Sequence, residues 1–563
     1  MKSALVNNRN LTPSDPLWAT GPQDMTSFVY SERPPRRKTV MKQMMRLVAA
    51  GTVGAALQGG AADSPTSCIT SWNVASKQFI DPPVFRVLPL PGASQYRAVV
   101  RQEDRSWSAS SKTPILDLAC IWPEVKTGWF SLTLDCLSGE GGVLRSESSP
   151  RVKAPDFKGF TEPPANWAAA ADRNIAYLIH AADHAPAPYR ETDVPVWIWS
   201  AYPGYNLSYP CITINNLAWA FLAHIANDGP QKTEALRLAR AGADWVLEHR
   251  QLNSGALPLF PCSTVTLGKL EGGNEDSSVN LLRAAWLASS FVDLYEATRH
   301  EPYLAYARHI AEVTAKFQNG DGSFPYRVNP KTGAVVEQYN CGAMEFVELV
   351  EKLDRFGRDV RMSMAAQRAL EWLLAYVCTT HNWKAAYEDV GEQRFYANLS
   401  QMAVMPLIHY LCRHQEEDPS YLPTAMRLNR WVEDQFVMFG PDDEASPVRA
   451  KGPLVFEQFV CWYPMEGHTA NWILALIELH KASGKKEYLD KAMAAANAIC
   501  AAQWVDGPLN GQFSTFGRDY RTGESAYTDD AGVVANWYNA NASADRALYA
   551  LAQYVRGQPA SNK

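Results

Sequence analysis

The feature that most constrains this 563-residue chain is a rhythm of helix, short turn, helix and long gap, repeated around six times. Helical periodicity runs through twelve segments: 166–183, 212–227, 231–249, 277–298, 302–317, 340–355, 360–378, 396–413, 419–437, 467–483, 486–504 and 540–556. The even-numbered segments are followed by turns of a few residues. The odd-numbered ones are followed by connections several times longer, which compact domains rarely tolerate unless they carry function. Odd segments are amphipathic, with Ala235, Leu238, Gly242 and Trp245 on one face and Lys232, Arg240 and Glu248 on the other. Even segments are apolar nearly all round, and such a helix must be buried on both sides. Hairpins of one buried and one amphipathic helix satisfy both conditions by closing a ring with the buried helices inside.

Repeated signatures support the ring. Each even segment carries an Asn before an apolar run: Asn216, Asn280, Asn340, Asn398, Asn471 and Asn541. The spacing predicts these in the first helical turn, bonding backbone groups there. Tyr303-Leu304, Tyr421-Leu422 and Tyr488-Leu489 open odd segments, and Gln251, Gln318 and Gln503 close three of the odd segments just before a Gly turn. The pattern over 166–558 resembles the (α/α)6 toroid of six-hairpin glycoside hydrolases and polysaccharide lyases. The resemblance implies a mainly α catalytic domain acting on an oligo- or polysaccharide, and it assigns no particular family.

Ahead of the helices the pattern changes. Short apolar runs at Val84–Leu88, Tyr96–Val100, Ile115–Ile121 and Trp129–Leu134, separated by Pro, Gly and Ser, predict a small all-β sandwich of immunoglobulin or fibronectin type over 81–147. A Pro-rich linker is expected over 148–165. Residues 1–62 read as a polar leader and a signal peptide, with basic residues at Arg36, Arg37, Lys38, Lys42 and Arg46, then the uncharged run 47–57 and small residues at Gly59–Ala62. The expected location is therefore secreted or periplasmic, with cleavage near 59–63. No other membrane association is predicted, because no apolar run reaches the roughly 18 residues a span requires. A net charge of −6 argues against a nucleic-acid partner. Ten cysteines are too few for a disulfide scaffold, although Cys120 and Cys136 are candidates to pair across a hairpin. Neither His nor Cys spacing suggests a metal, and no cofactor is expected.

Alternating loop lengths put every long loop at one end of the ring, where the inner helices begin. That end is the expected cleft. Glu275 and Glu466 each lie five residues before a repeat Asn, on hairpins two and five, which face one another in a ring of six. Opposed carboxyls are what glycoside hydrolysis uses, one protonating the leaving oxygen and the other activating water. Opposite walls hold such groups far apart, which favours inversion. Glu275, Asp276 and Glu466 are therefore the leading catalytic candidates, with Glu337 and His468 behind them. Substrate-binding candidates are Trp199, Tyr202 and Tyr205 in loop one, Trp383, Glu392 and Arg394 in loop four, Trp462 and Tyr463 in loop five, and Trp537. Two other readings stay open. A uronate lyase would use His468 or Tyr463 as base beside an Arg such as Arg327, Arg394, Arg449 or Arg518. A non-catalytic glycan-binding protein would use the funnel as a receptor.

Overall fold

The computed structural model describes residues 79–154, 157–180, 207–250, 254–263, 265–266, 278–336, 340–341, 343–380, 383, 403–439, 452–457, 464–507, 509–514 and 538–558. Among them are two layers of β-structure followed by twelve principal helices. The signal-peptide region lies outside the described residues.

The β-region begins with β1 (Val84–Arg86), β2 (Gln95–Gln102), β3 (Arg105–Ser111), β4 (Ile115–Asp117), β5 (Gly128–Leu137) and β6 (Val143–Lys153). Four of these form an antiparallel sheet in the order β3-β2-β5-β6, and β1 pairs with β4 as a separate ladder. The two layers bury Phe85, Tyr96, Val100, Leu116, Phe130 and Leu132 between them. Phe79, Trp122 and Phe130 meet edge to face at 6.3 and 5.8 Å. This is a smaller assembly than the seven strands of an immunoglobulin domain. Strand β6 runs on to Lys153, into the segment expected as linker. It tolerates Pro150 because it is an edge strand. Cys120 and Cys136 are free thiols, the first exposed and the second buried, so the expected bridge does not form. A buried cysteine on a strand's inner face is filling core there. The region docks on the helices through Ile80 N–H, which donates to Asp434 Oδ1 at 3.0 Å, and through the Arg430–Asp81 ion pair.

The helices are α1 (Trp167–Ile179), α2 (Pro210–Ala226), α3 (Lys232–Glu248), α4 (Leu281–Thr298), α5 (Glu301–Ala315), α6 (Met344–Asp354), α7 (Val360–Trp372), α8 (Val404–Arg413), α9 (Tyr421–Phe436), α10 (Glu466–Ser483), α11 (Lys486–Ala501) and α12 (Tyr538–Gly557). Even-numbered helices pack in sequence, α2 on α4, α6, α8, α10 and α12, and α12 returns to α2. The inner ring is closed. Each of α3, α5, α7, α9 and α11 packs outside the inner helix before it, and α1 packs on α12, so the first helix completes the last hairpin.

Two-residue ladders tie the long connections together at one end. Leu207–Ser208 (β7) pairs with Val265–Thr266 (β8), and Val279–Asn280 (β9) with Arg327–Val328 (β11). Phe324–Pro325 (β10) pairs with Asn340–Cys341 (β12), and Val437–Met438 (β13) with Leu454–Val455 (β14).

The Gln-and-Gly signature is an interhelical clasp. Gln503 donates to Ala170 O and Gly511 O, each at 2.8 Å, and accepts from the Arg173 guanidinium, joining α11 to α1. Gln318 repeats this between α5 and α7, donating to Ala365 O at 2.7 Å and Gly322 O at 3.1 Å and accepting from Arg368. Gly511 and Gly322 have φ of +99° and +97°, and a Cβ on either would overlap the carbonyl oxygen of Arg173 or Arg368. Gly511→Ala should therefore destabilise the protein by about 1–3 kcal/mol, from backbone strain together with the clash. Urea denaturation would measure it, and an unchanged midpoint would remove the clasp's importance. Closure of the outer ring between α11 and α1 thus uses the same device as the internal joint between α5 and α7.

The Asn repeat does not keep one register. Asn280 caps α4, its side chain accepting from Leu282 N–H at 3.0 Å and Arg283 N–H at 3.2 Å. Asn216 and Asn471 lie well inside α2 and α10, and Asn340 sits on β12 before α6 begins. An Asn near a helix start can cap, bridge helices or end a strand, so equal spacing does not guarantee equal position. Asn398 lies outside the described residues.

Candidate active site

The candidate site lies where the inner helices begin. Glu466 is the first residue of α10, and His468 follows two residues later. The β13–β14 hairpin braces this turn: Met465 N–H donates to Val455 O at 2.9 Å, and Val455 N–H donates to Thr469 Oγ1 at 3.0 Å. Gly467 lets α10 approach α12 closely, since a Cβ there would stand 3.0 Å from Ala540 Cα. Glu466 is 1% exposed, and its Oε1 accepts from Asn541 Nδ2 at 3.0 Å. Asn541 Oδ1 in turn accepts from Phe513 N–H at 2.8 Å and Asn174 Nδ2 at 2.9 Å. The carboxyl is therefore held by α12, which α1 and the Gly511 clasp hold in place.

Across the ring stands Arg283, third residue of α4, as His468 is third in α10. Asn280 caps this helix start, and its own N–H donates to Ser263 Oγ at 2.8 Å. Both Arg283 and His468 are 6% exposed. Burial, reinforced by the field of Arg283, pushes the His468 imidazole down to about 3, so it is neutral near pH 7. The unfolded chain protonates this histidine near pH 6.5, whereas the folded chain resists until about pH 3. Its contribution to stability is therefore full above pH 6.5 and shrinks as pH falls through that window, by at most about 1.4 kcal/mol per pH unit. Chemical denaturation at pH 7, 5.5 and 4 should show a shallower loss for His468→Gln than for wild type. Parallel losses would contradict the assignment.

Below Arg283 the wall is aromatic. Its guanidinium lies 5.5 Å from the Trp286 ring centre, and Trp286 meets Trp219 edge to face at 6.0 Å. An ionic layer follows. Arg546 of α12 stacks on Trp219 at 4.0 Å, and Lys352 of α6 approaches the same indole at 5.1 Å. Trp219 Nε1 donates to Asp293 of α4 at 2.6 Å, and Asp293 also pairs with Lys352. His409 of α8 stands between Glu348 of α6 and Glu478 of α10, at 3.9 and 3.7 Å. Burial opposes the charge on Glu348, yet His409, Lys352 and Arg413 hold its carboxyl below the usual range. Every inner helix contributes to this layer, which gives the cleft a floor.

Of the expected site residues, Glu466 and His468 are brought to this mouth. Trp383 is not. It is 3% exposed and packs on Trp431 of outer helix α9 with ring centres 5.8 Å apart, so it belongs to the core and not to a sugar platform. Its indole is turned inward, where burial of a large apolar surface is favoured. Glu275, Asp276, Glu337, Trp199, Tyr202, Tyr205, Glu392, Arg394, Trp462, Tyr463 and Trp537 lie outside the described residues. The register expected for Glu275 changes, however. Helix α4 starts at Leu281, so the position matching Glu466 is Leu281. Sequence reasoning missed Arg283 and Trp286, although a lone Arg in an otherwise apolar inner helix, three residues before a Trp, was the available signal.

Twelve helices in a closed double ring, with a polar mouth and an ionic floor, define a six-hairpin toroid. No family model matches the sequence, and no curated protein does. Among solved structures the chain is similar to a family 76 glycoside hydrolase from a bovine Bacteroides thetaiotaomicron strain, at 10% identity over 84% of this chain and 97% of that one, with a TM-score of 0.48. A family 76 mannosidase from Bacteroides thetaiotaomicron VPI-5482 aligns at 12% identity over 69% and 99%, TM-score 0.48. A cellobiose 2-epimerase from Bacillus thermoamylovorans B4167 aligns at 11% over 67% and 98%, TM-score 0.45.

Proposed function

We propose that this protein is a carbohydrate-active enzyme that hydrolyses a glycosidic bond at the long-loop mouth of the ring. The observation that carries the reading is Glu466, a buried carboxyl fixed by Asn541 in the first turn of an inner helix. In this reading Glu466 is one of two working carboxyls, and Glu275 or Asp276, in the loop leading to the opposite helix, supplies the other. Arg283 and Trp286 orient the sugar through charge-assisted hydrogen bonding and stacking. Inversion follows if the carboxyls stand roughly 6.5–9.5 Å apart, leaving room for water.

A specific observation favours a second reading. His468 is unprotonated near pH 7 and faces Arg283; a uronate carboxylate paired with that guanidinium would remove part of the field that depresses the imidazole's basicity and let it take the C5 proton, which is lyase chemistry. Incubation with a glycan panel separates the two, because hydrolysis releases reducing ends alone and elimination also creates an ultraviolet-absorbing unsaturated uronate. A panel giving neither signal would remove both readings and leave the glycan receptor.

Export belongs to the same proposal, motivated by the basic and apolar run over 36–57. N-terminal sequencing of native material should give a start near residues 59–63. A mature chain retaining residues 41–57 would contradict it.

A further inference from the structure

Between α8, α10 and α12, at the end away from the long loops, a cavity of about 420 Å³ opens, with polar groups from His409, Glu478, Lys481, Gln553, Tyr554 and Gln558. Its apolar wall is Leu474, Ile477 and Ala550. Glu478 follows Glu466 on α10 by twelve residues, which at 1.5 Å per residue places it roughly 18 Å from the reaction mouth. The volume lies in the range of small-molecule sites.

The charges lining this cavity are already matched. Lys481 Nζ lies 2.7 Å from Glu478 Oε1 and 5.3 Å from the Tyr554 ring centre, while His409 flanks the same carboxylate. The Tyr554 hydroxyl is fixed against His480 Nδ1 at 2.6 Å. A compensated lining gives an ion no advantage and so selects a neutral ligand. The Gln553 and Gln558 amides each offer a donor and an acceptor, as adjacent hydroxyls require, and the aliphatic wall suits the C–H face of a sugar ring. We propose that this cavity is a second saccharide site, taking one neutral monosaccharide unit away from the reaction centre. The ligand class rests on the carbohydrate reading above; the site rests on its own geometry.

Hydrogen exchange over 474–481 and 550–558 tests it, with the full chain and D-glucose, D-mannose or D-galactose as probes. Gly557 lines the cavity, and a Cβ there meets nothing within 4 Å, so Gly557→Trp can fill the space without disturbing the backbone. At least one sugar should slow exchange in both segments of wild type and of Glu466→Gln. Gly557→Trp should reduce that protection at least fivefold. Protection by none of the three sugars, or protection that Gly557→Trp leaves unchanged, overturns the site. Protection in a chain that cleaves no glycan would keep this site and discard the hydrolase reading. Cleavage without Gly557-sensitive protection would do the reverse.

Discussion

Glu466→Gln should lower turnover on a cleaved glycan by at least about 10²-fold while changing KM little, since positioned proton transfer supplies roughly that much or more. The replacement keeps the shape of the side chain and removes only its acid–base function. Asn541 can still meet the amide oxygen, so the hydrogen bond to α12 survives in the variant. A fall in kcat without loss of thermal stability would therefore report chemistry. Full activity in Glu466→Gln, with loss in His468→Ala or Tyr463→Phe and unsaturated uronate among wild-type products, would transfer the reaction to the lyase reading. If none of the three substitutions matters, the reaction lies elsewhere in the ring.

Lys491→Met should destabilise the fold by about 3–5 kcal/mol, the cost of leaving a buried partner charge uncompensated. Lys491 Nζ reaches both Glu433 oxygens at 2.9 Å, with side chains 9% and 1% exposed. Burial works against the ammonium, but Glu433, helped by Asp81 and Glu487, outweighs it and raises its proton affinity. Asn429 donates to the same carboxylate at 2.9 Å and accepts from Trp472 Nε1 at 2.9 Å, which ties α9, α10 and α11 together. Adding Glu433→Gln to Lys491→Met should restore much of the loss, because the stranded charge is then gone. Guanidinium denaturation of the two single variants and the double variant reads this directly. A Lys491→Met chain as stable as wild type would show that the pair adds nothing.

The ring was legible because its causes are local. Loop-length alternation and the contrast between apolar and amphipathic helices are properties of neighbouring residues, and a closed circle satisfies both. The β-region was legible only in part. Strands β1, β2, β4 and β5 coincide with apolar runs, whereas β3, RSWSASS, and β6, VLRSESSPRVK, present a mostly polar face to solvent and carry little apolar signal. At the site, Glu466 and His468 stood out because they interrupt a loop-to-helix junction. Arg283 was hidden inside an apolar signature, and what it faces depends on a helix almost two hundred residues further along. Trp383 erred in the other direction, since a loop aromatic looks the same in sequence whether it turns toward solvent or toward Trp431.

The joint between α1 and α12 also governs how the molecule comes into being. Asn174 and Asn541, which meet there, are 367 residues apart in the chain. During synthesis α1 emerges before every other helix of the ring, and α12, whose Asn541, Tyr538 and Tyr549 meet Asn174, Tyr177 and Asp172, emerges after all of them. Until then the nascent protein is an open arc with one apolar flank at each end. Such flanks are where a second unfinished chain can insert its own helix, so aggregation and helix exchange between copies compete with completion. A ribosome stalled before residue 538 should hold a product far more sensitive to protease than the released chain, and a premature stop there would cost the whole toroid and not one helix of it.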